Sequence, residues 1–109
     1  MTDLEITKLC AEAMGEPVAQ KWDDNSLMCV DGLRVWQYDP LHDDAQAMAL
    51  VKKFKPMIDT YADGTWLVGG GWKNDVEVEG VDLNCAVCEC IAQMQLARRN
   101  HENSAAETR

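Results

Sequence analysis

The strongest candidate for chemistry in this sequence is a cluster of three carboxylates with one histidine, formed by Asp39, His42, Asp43 and Asp44. Such side chains bind divalent cations or act as general bases. The same residues suit a helix start, because Asp39-Pro40 resembles an N-cap followed by proline at the first helical position. Asp43 and Asp44 would then supply first-turn charge or an alternative cap. We expect capping to explain the cluster; a metal site and a partner-contacting acidic patch are the alternatives.

A second candidate is Cys85-x-x-Cys88-x-Cys90, since a Cys-x-x-Cys pair is half of a common zinc or redox site. The motif lies inside a predicted helix, with no second Cys or His pair near enough in sequence to complete four ligands. Cys88 and Cys90 point about 200° apart on such a helix. With Cys10 and Cys29 the chain has an odd number of cysteines, which favours free, mostly buried thiols in a reducing compartment.

Other catalytic signatures are missing from the sequence. Gly69-Gly70-Gly71 is not followed by the Lys-Ser/Thr of a P-loop, so we interpret it as a loop. There is no Gly-x-Ser-x-Gly or His-Glu-x-x-His motif, and a histidine-based triad could draw only on His42 and His101. We therefore predict no catalytic residues, no metal ligands, no cofactor and no enzymatic activity. The alternative is a small metal-dependent or ligand-modifying enzyme that uses His42 and its neighbouring carboxylates.

The charge of the chain is strongly negative and unevenly distributed. The net charge is −9, and residues 1–50 hold 10 acids against 3 bases, whereas residues 51–109 hold 9 acids against 7 bases. Such a field repels nucleic acid and attracts basic protein surfaces. The acid could also serve solubility alone.

Trp22 and Trp72 lie in polar or glycine-rich surroundings and are contact candidates, whereas Trp36 and Trp66 lie in predicted strands of the core. The predicted partner-binding residues are Asp23, Asp24, Asp39, Asp43, Asp44, Trp22 and Trp72.

Three helices should position these residues. Thr2-Asp3-Leu4-Glu5 resembles a capping box, and Gly15 ends the helix that follows it. A second helix covers about residues 43–55 and is closed by Pro56. A third begins near Asp82 and runs to about Arg99. Residues 100–109 lack an apolar face and should form a disordered C-terminal tail, which leaves residues 1–99 as a single domain.

The predicted strands form hairpins. Residues 27–30 and 33–38 flank Asp31-Gly32, which suits a type I′ turn, and residues 57–61 and 66–68 flank Asp63-Gly64. A further strand runs through Val76 and Val78, whereas residues 18–26 read as irregular. Two strands are apolar at consecutive positions, which favours helices on both faces. The predicted fold is α+β: a small α/β/α three-layer sandwich with an antiparallel sheet of about four to five strands and three helices.

No apolar run approaches the roughly 20 residues of a membrane span. The N-terminus is acidic and is not followed by the apolar region of a secretory signal. We expect a cytoplasmic protein without membrane partners.

Three segments carry a resemblance to a known family: MTDLEITKLCAEAMG at residues 1–15, YDPLHDDAQAMALVK at 38–52, and DLN at 82–84 with CECIA at 88–92. Together they resemble small phage and prophage proteins and are similar to the phage ABA sandwich domain family. The resemblance implies a sheet held between helical layers and a phage-encoded protein in the bacterial host cytoplasm. It brings no catalytic residues to carry over.

The leading hypothesis is a non-enzymatic phage accessory protein that binds a protein with a basic surface through an acidic surface centred on residues 23–44. One role for it is inhibition of a host nucleic-acid-handling or defence complex, with carboxylates in place of phosphates. A structural homodimer formed by exposed sheet edges is the further alternative.

Overall fold

The computed structural model describes the backbone of residues 1–70 and 76–107, and the side chains of these residues up to position 101. The elements are α1 (Asp3–Met14), β1 (Val18–Lys21), β2 (Leu27–Asp31), β3 (Arg34–Tyr38), α2 (Asp44–Phe54), β4 (Met57–Thr60), β5 (Trp66–Gly69), β6 (Glu77–Gly80) and α3 (Leu83–Glu107). Within these residues the fold is α+β with three helices, as the sequence predicts.

Local signals place both ends of α1 where the sequence predicts them. The hydroxyl of Thr2 accepts a hydrogen bond from the amide of Glu5 at 3.1 Å, as an N-cap does. Gly15 ends the helix at a φ of 68°, and its amide donates to the carbonyl oxygen of Glu12 at 3.2 Å. Glycine suits this position because a residue with a Cβ is strained at positive φ.

Both predicted hairpins form, since β2 pairs antiparallel with β3 and β4 pairs antiparallel with β5. In the first hairpin Asp31 pairs with Arg34, so the central residues of the turn are Gly32 and Leu33. Gly32 has a φ of 62° and Leu33 has no positive φ, which is the pattern of a type II′ turn. The hairpin is confirmed, and the type I′ turn is wrong.

The strands of the described residues form two three-stranded antiparallel sheets, in the orders β1-β2-β3 and β4-β5-β6. The predicted single sheet of four to five strands is therefore not matched, and the α/β/α three-layer arrangement stays a prediction. The prediction that residues 18–26 are irregular is also wrong for β1. All four side chains of this edge strand are exposed, so it lacks the alternation that marks a half-buried strand.

The first sheet contacts α1 through β2, and the second contacts α3 through β5 and β6. In β2, Leu27 and Cys29 are buried while Met28 and Val30 are half-buried. Alternation of this kind indicates one covered face and one partly open face. The prediction of helices on both faces is not met for this strand.

The helix α3 contacts α1, α2, β5 and β6. It continues to Glu107, past the predicted end near Arg99, and no Gly or Pro interrupts the added residues. The predicted domain boundary at residue 99 stays a prediction.

Among the helices of residues 1–70 and 76–107, none has the combined length and apolarity that a membrane span requires.

Two helices lie side by side in the same direction. Asn84, in the first turn of α3, bonds to Asp44 at the start of α2. At the other end of α2, Phe54 lines a cavity together with Ile91 and Met94 of α3. The N-termini of α2 and α3 therefore lie at the same end of the molecule.

The core holds one polar group without a partner. Tyr38 is 2 % exposed, and its hydroxyl has no hydrogen-bond partner within the described residues. Burial raises the pKa of Tyr38 well above its usual value, and the negative charge of Glu16 adds to the rise. The hydroxyl therefore stays protonated, and an unpaired buried hydroxyl costs folding free energy.

We predict that Tyr38→Phe raises the free energy of unfolding by about 1–3 kcal/mol, because it removes the unpaired hydroxyl and keeps the ring. Urea denaturation at pH 7 measures the change. Tyr61→Phe is the matched control, since the Tyr61 hydroxyl is exposed and donates to Glu79 at 3.1 Å. This control should change stability by less than about 0.5 kcal/mol. A Tyr38→Phe variant that is less stable than the parent would show that the hydroxyl has a partner.

Candidate functional site

A chain of hydrogen bonds joins the turn after β1 to β3 and to the first turn of α2. The hydroxyl of Ser26 donates to Oδ1 of Asp23 at 2.8 Å, and Nε2 of Gln37 donates to the hydroxyl of Ser26 at 2.9 Å. Nε2 of Gln46 then donates to the carbonyl oxygen of Gln37 at 2.8 Å. The turn after β1, the strand β3 and the first turn of α2 are thereby held together.

The same glutamine fixes the loop that precedes α2. Oε1 of Gln46 accepts a hydrogen bond from the amide of Asp39 at 2.6 Å. Nδ1 of His42 lies 3.1 and 3.0 Å from the two carboxylate oxygens of Asp39. The His42 side chain is 65 % exposed and that of Asp39 only 18 %. The pair closes the loop, and its imidazole faces solvent.

Asp43 is the N-cap of α2. Its backbone is extended, at φ −116° and ψ 109°, and its Oδ1 accepts the amide of Gln46 at 3.0 Å. Asp39-Pro40 lies one turn earlier, where the amide of Asp43 donates to the carbonyl oxygen of Asp39 at 2.9 Å. The interpretation of Asp39-Pro40 as the cap is therefore wrong, and the alternative that Asp43 caps the helix is confirmed.

A second helix start brings further polar groups next to α2. Nδ2 of Asn84 donates to Oδ1 of Asp44 at 2.7 Å. Oδ1 of Asp82 accepts the amide of Cys85 at 2.9 Å, as a capping side chain does. Sequence reasoning missed Asp82 and Asn84 as site residues. Their position at a helix start is readable from the sequence, but the neighbouring helix is not.

We call the resulting surface the acidic end; its carboxylates are those of Asp23, Asp24, Asp39, Asp43, Asp44 and Asp82. The side chain of Asp24 is 97 % exposed and lies 3.6 Å from Nζ of Lys21. Within residues 1–70 and 76–101, Lys21 is paired with Asp24 and His42 with Asp39. The structure therefore brings the predicted acidic residues together, and Asp82 extends them towards α3.

One carboxylate of the acidic end has a shifted pKa. The amide of Asn25 donates to Oδ1 of Asp23 at 2.8 Å, and the hydroxyl of Ser26 donates to the same oxygen. These two bonds, the amide first, lower the pKa of Asp23 below 3.8. Hydrogen bonds to the ionised form stabilise it, so the side chain stays charged to lower pH than an unbonded Asp would.

The predicted tryptophan contacts are only in part described. Trp22 is 49 % exposed, and its amide donates to the carbonyl oxygen of Ser26 at 3.0 Å, which places it beside Asp23. Trp72 lies outside the described residues. Trp36 is partly buried against the core, with the guanidinium of Arg34 at 5.3 Å from its ring centroid.

An apolar groove adjoins the acidic end. It has a volume of about 440 Å³ and lies between α2, β4 and the start of α3. Met48 and Ile58 are 48 % and 36 % exposed in it. Its lining residues are Asp44, Ala47, Met48, Val51, Ile58, Asp82, Leu83, Asn84 and Val87. Two carboxylates of the acidic end, Asp44 and Asp82, thus form part of the wall of an otherwise mainly apolar groove.

The cysteines lie mostly in the core, where the thiol of Cys10 donates to the carbonyl oxygen of Cys88 at 3.3 Å. Cys10, Cys29, Cys88 and Cys90 are buried and free, as predicted, whereas Cys85 is exposed. Burial raises the pKa of Cys90 to about 11, and burial followed by Asp82 raises that of Cys85. Protonated thiols are poor nucleophiles and poor metal ligands. Within the described residues no three His, Cys, Asp or Glu side chains are grouped to hold an ion.

Comparisons of the chain with protein-family models, with curated proteins and with solved structures find no match. The resemblance to the phage ABA sandwich domain therefore stays a prediction.

We predict that Asp43→Ala lowers the free energy of unfolding by about 1 kcal/mol, because the amide of Gln46 loses its acceptor. Asp43→Asn keeps an acceptor oxygen and should retain most of the stability. Asp24→Ala, which removes an exposed carboxylate outside the helix, is the control and should change stability by less than about 0.5 kcal/mol. Urea denaturation measures all three. Equal losses for Asp43→Ala and Asp24→Ala would contradict the capping role.

We predict that Ser26→Ala raises the pKa of the Asp23 carboxyl towards 3.8, since the hydroxyl that donates to it is removed. Because the folded pKa is depressed, the stabilisation from Asp23 is present above 3.8 and is lost as pH falls through the folded pKa. In Ser26→Ala the stabilisation should be smaller, and its loss should be complete at a higher pH than in the parent. Carboxyl NMR titration measures the shift, with Asp63 as internal reference because the Thr65 amide lowers its pKa elsewhere in the chain. An unchanged Asp23 titration would contradict the role of Ser26.

Proposed function

We propose that this chain is a phage-encoded accessory protein of the bacterial cytoplasm that binds a protein partner with a basic surface, and that it is not an enzyme. The acidic end carries the proposal. Its carboxylates come from the turn after β1, the loop before α2 and the starts of α2 and α3. Hydrogen bonds through Ser26, Gln37, Gln46 and Asn84 hold these segments together.

The charge of this surface supports recognition of a basic partner. Asp24 is almost fully exposed, and hydrogen bonds stabilise the ionised form of Asp23. Like charges held close together produce a negative field that steers a basic surface towards them. The net charge of −9 adds to this field at longer range.

A role in blocking a host nucleic-acid-handling or defence complex would use the same chemistry. Basic grooves that hold nucleic acid bind phosphates through Lys and Arg. Carboxylates fixed by a hydrogen-bond network would occupy the places of those phosphates. The partner would then be the host protein, with no contact between this chain and nucleic acid.

The two other hypotheses have weaker support. An enzyme built on His42 would use a solvent-facing imidazole bonded to Asp39, which leaves the ring outside the groove. A homodimer through sheet edges would bring together two chains that each carry a charge of −9, and such chains repel each other.

We predict that affinity capture from host lysate recovers a basic protein with the parent chain and loses it with the double variant Asp24→Lys/Asp44→Lys. The control is Glu77→Lys/Glu79→Lys, which makes the same change in charge at two exposed positions of β6. This control should recover the same protein as the parent. Mass spectrometry identifies the captured proteins.

Asp24→Asn/Asp44→Asn removes the charges without reversing them and should weaken capture while disturbing the fold less. Urea denaturation shows whether each variant is folded. Recovery of no protein by the parent, or equal recovery by both charge-reversed variants, would contradict the proposal.

A further inference from the structure

The groove beside the acidic end offers apolar side chains in a helical arrangement. Asp44, Ala47, Met48 and Val51 recur on α2 at the spacing i, i+3, i+4 and i+7, so they form one stripe of the helix. At a rise of 1.5 Å per residue this stripe is about 10 Å long. It is faced by Leu83 and Val87 of α3, one turn apart. The groove therefore matches about two turns of a bound helix.

An extended peptide fits this groove less well than a helix. The exposed edge of β4 borders the groove through Ile58, and a peptide strand would need free amides along that edge. The amide of Tyr61 donates to the carbonyl oxygen of Thr65 at 2.8 Å, on the side of β5. Successive amides of a strand point in opposite directions, so the amide of Thr60 points away from β5. The Thr60 amide already donates to Oδ1 of Asp59 at 2.8 Å. The side chain of Asp59 thus occupies one of the amides that an added strand would use.

The charges around the groove define the chemistry of its occupant. Asp44 and Asp82 line the groove where α2 and α3 begin. A bound helix should therefore carry Lys or Arg near Asp44 and Asp82. A second copy of this chain is a poor occupant, since its own charge is −9.

The geometry points to a docking groove for an amphipathic helix of the partner, with aliphatic side chains on the apolar floor and a Lys or Arg at the Asp44 end. This inference rests on the proposed function for the basic character of the partner. It adds the groove, the helical conformation and the apolar anchors. The volume of about 440 Å³ lies in the range of sites that bury apolar ligand groups.

The test uses the full chain labelled with ¹⁵N and a synthetic amphipathic helical peptide that has Leu on one stripe and Lys on the other. A second peptide replaces Leu by Gln, and a third replaces Lys by Glu. We predict that the Leu/Lys peptide shifts the backbone amide signals of Ala47, Met48, Val51, Leu83 and Val87. The Leu-to-Gln peptide should shift only signals of the acidic end, and the Lys-to-Glu peptide should not bind.

Met48→Gln should weaken binding of the Leu/Lys peptide by about tenfold, because it places a polar group on the groove floor. Met57→Gln is the matched control, since Met57 is also 48 % exposed but does not line the groove. Equal affinity of the Leu/Lys and Leu-to-Gln peptides, or equal effects of the two methionine variants, would overturn the groove. The acidic end would then still be tested by the capture experiment. Sedimentation showing a dimer that Met48→Gln dissociates would make a second copy the occupant and also overturn it.

Discussion

The packing of α2 beside α3 in the same direction determines the geometry of the candidate site. A helix start leaves backbone amides without partners in the helix, and capping carboxylates satisfy some of them. Asp43 caps α2, and Asp82 performs this function at the start of α3. Because both starts lie at one end of the molecule, these carboxylates gather there. The bond between Asn84 and Asp44 connects the two helices, and the apolar groove lies between them.

Structural and recognition roles are compatible for the acidic end. A carboxylate that caps a helix uses some of its acceptor capacity and keeps its negative charge, which the N-terminal end of the helix dipole favours. Carboxylates held close together repel each other, so a fixed network is needed to keep them in place. The bonds among Asp23, Ser26, Gln37 and Gln46 supply that network. Asp24, which is 97 % exposed, is paired at the surface with Nζ of Lys21 at 3.6 Å.

The sequence predicted what local signals determine. Thr2 and Gly15 define α1, and Gly32 and Gly64 lie in the two hairpin turns, each at positive φ. The strand β1 escaped prediction because its side chains are all exposed, so tertiary pairing with β2 is what makes it a strand. The division into two sheets depends on which strands meet, and no local signal carries that information.

The candidate site was predictable to a similar extent. The acidic residues of positions 23–44 stand out by type and spacing, and the structure joins them. Asp82 and the groove required knowledge of which helix lies beside α2. Ala47 and Val51 read as core residues from their periodicity, yet they also line the open groove with Met48. Periodicity shows that a stripe is apolar, and tertiary packing decides how much of it is covered.

Hydrogen–deuterium exchange of the chain, alone and with its captured partner, tests most directly whether the acidic end and the groove form one docking surface. Slower exchange concentrated in residues 39–51 and 82–87, with exchange in β6 unchanged, is the predicted result. Protection confined to the outer strands of either sheet, or no protection in residues 39–51, would contradict the account.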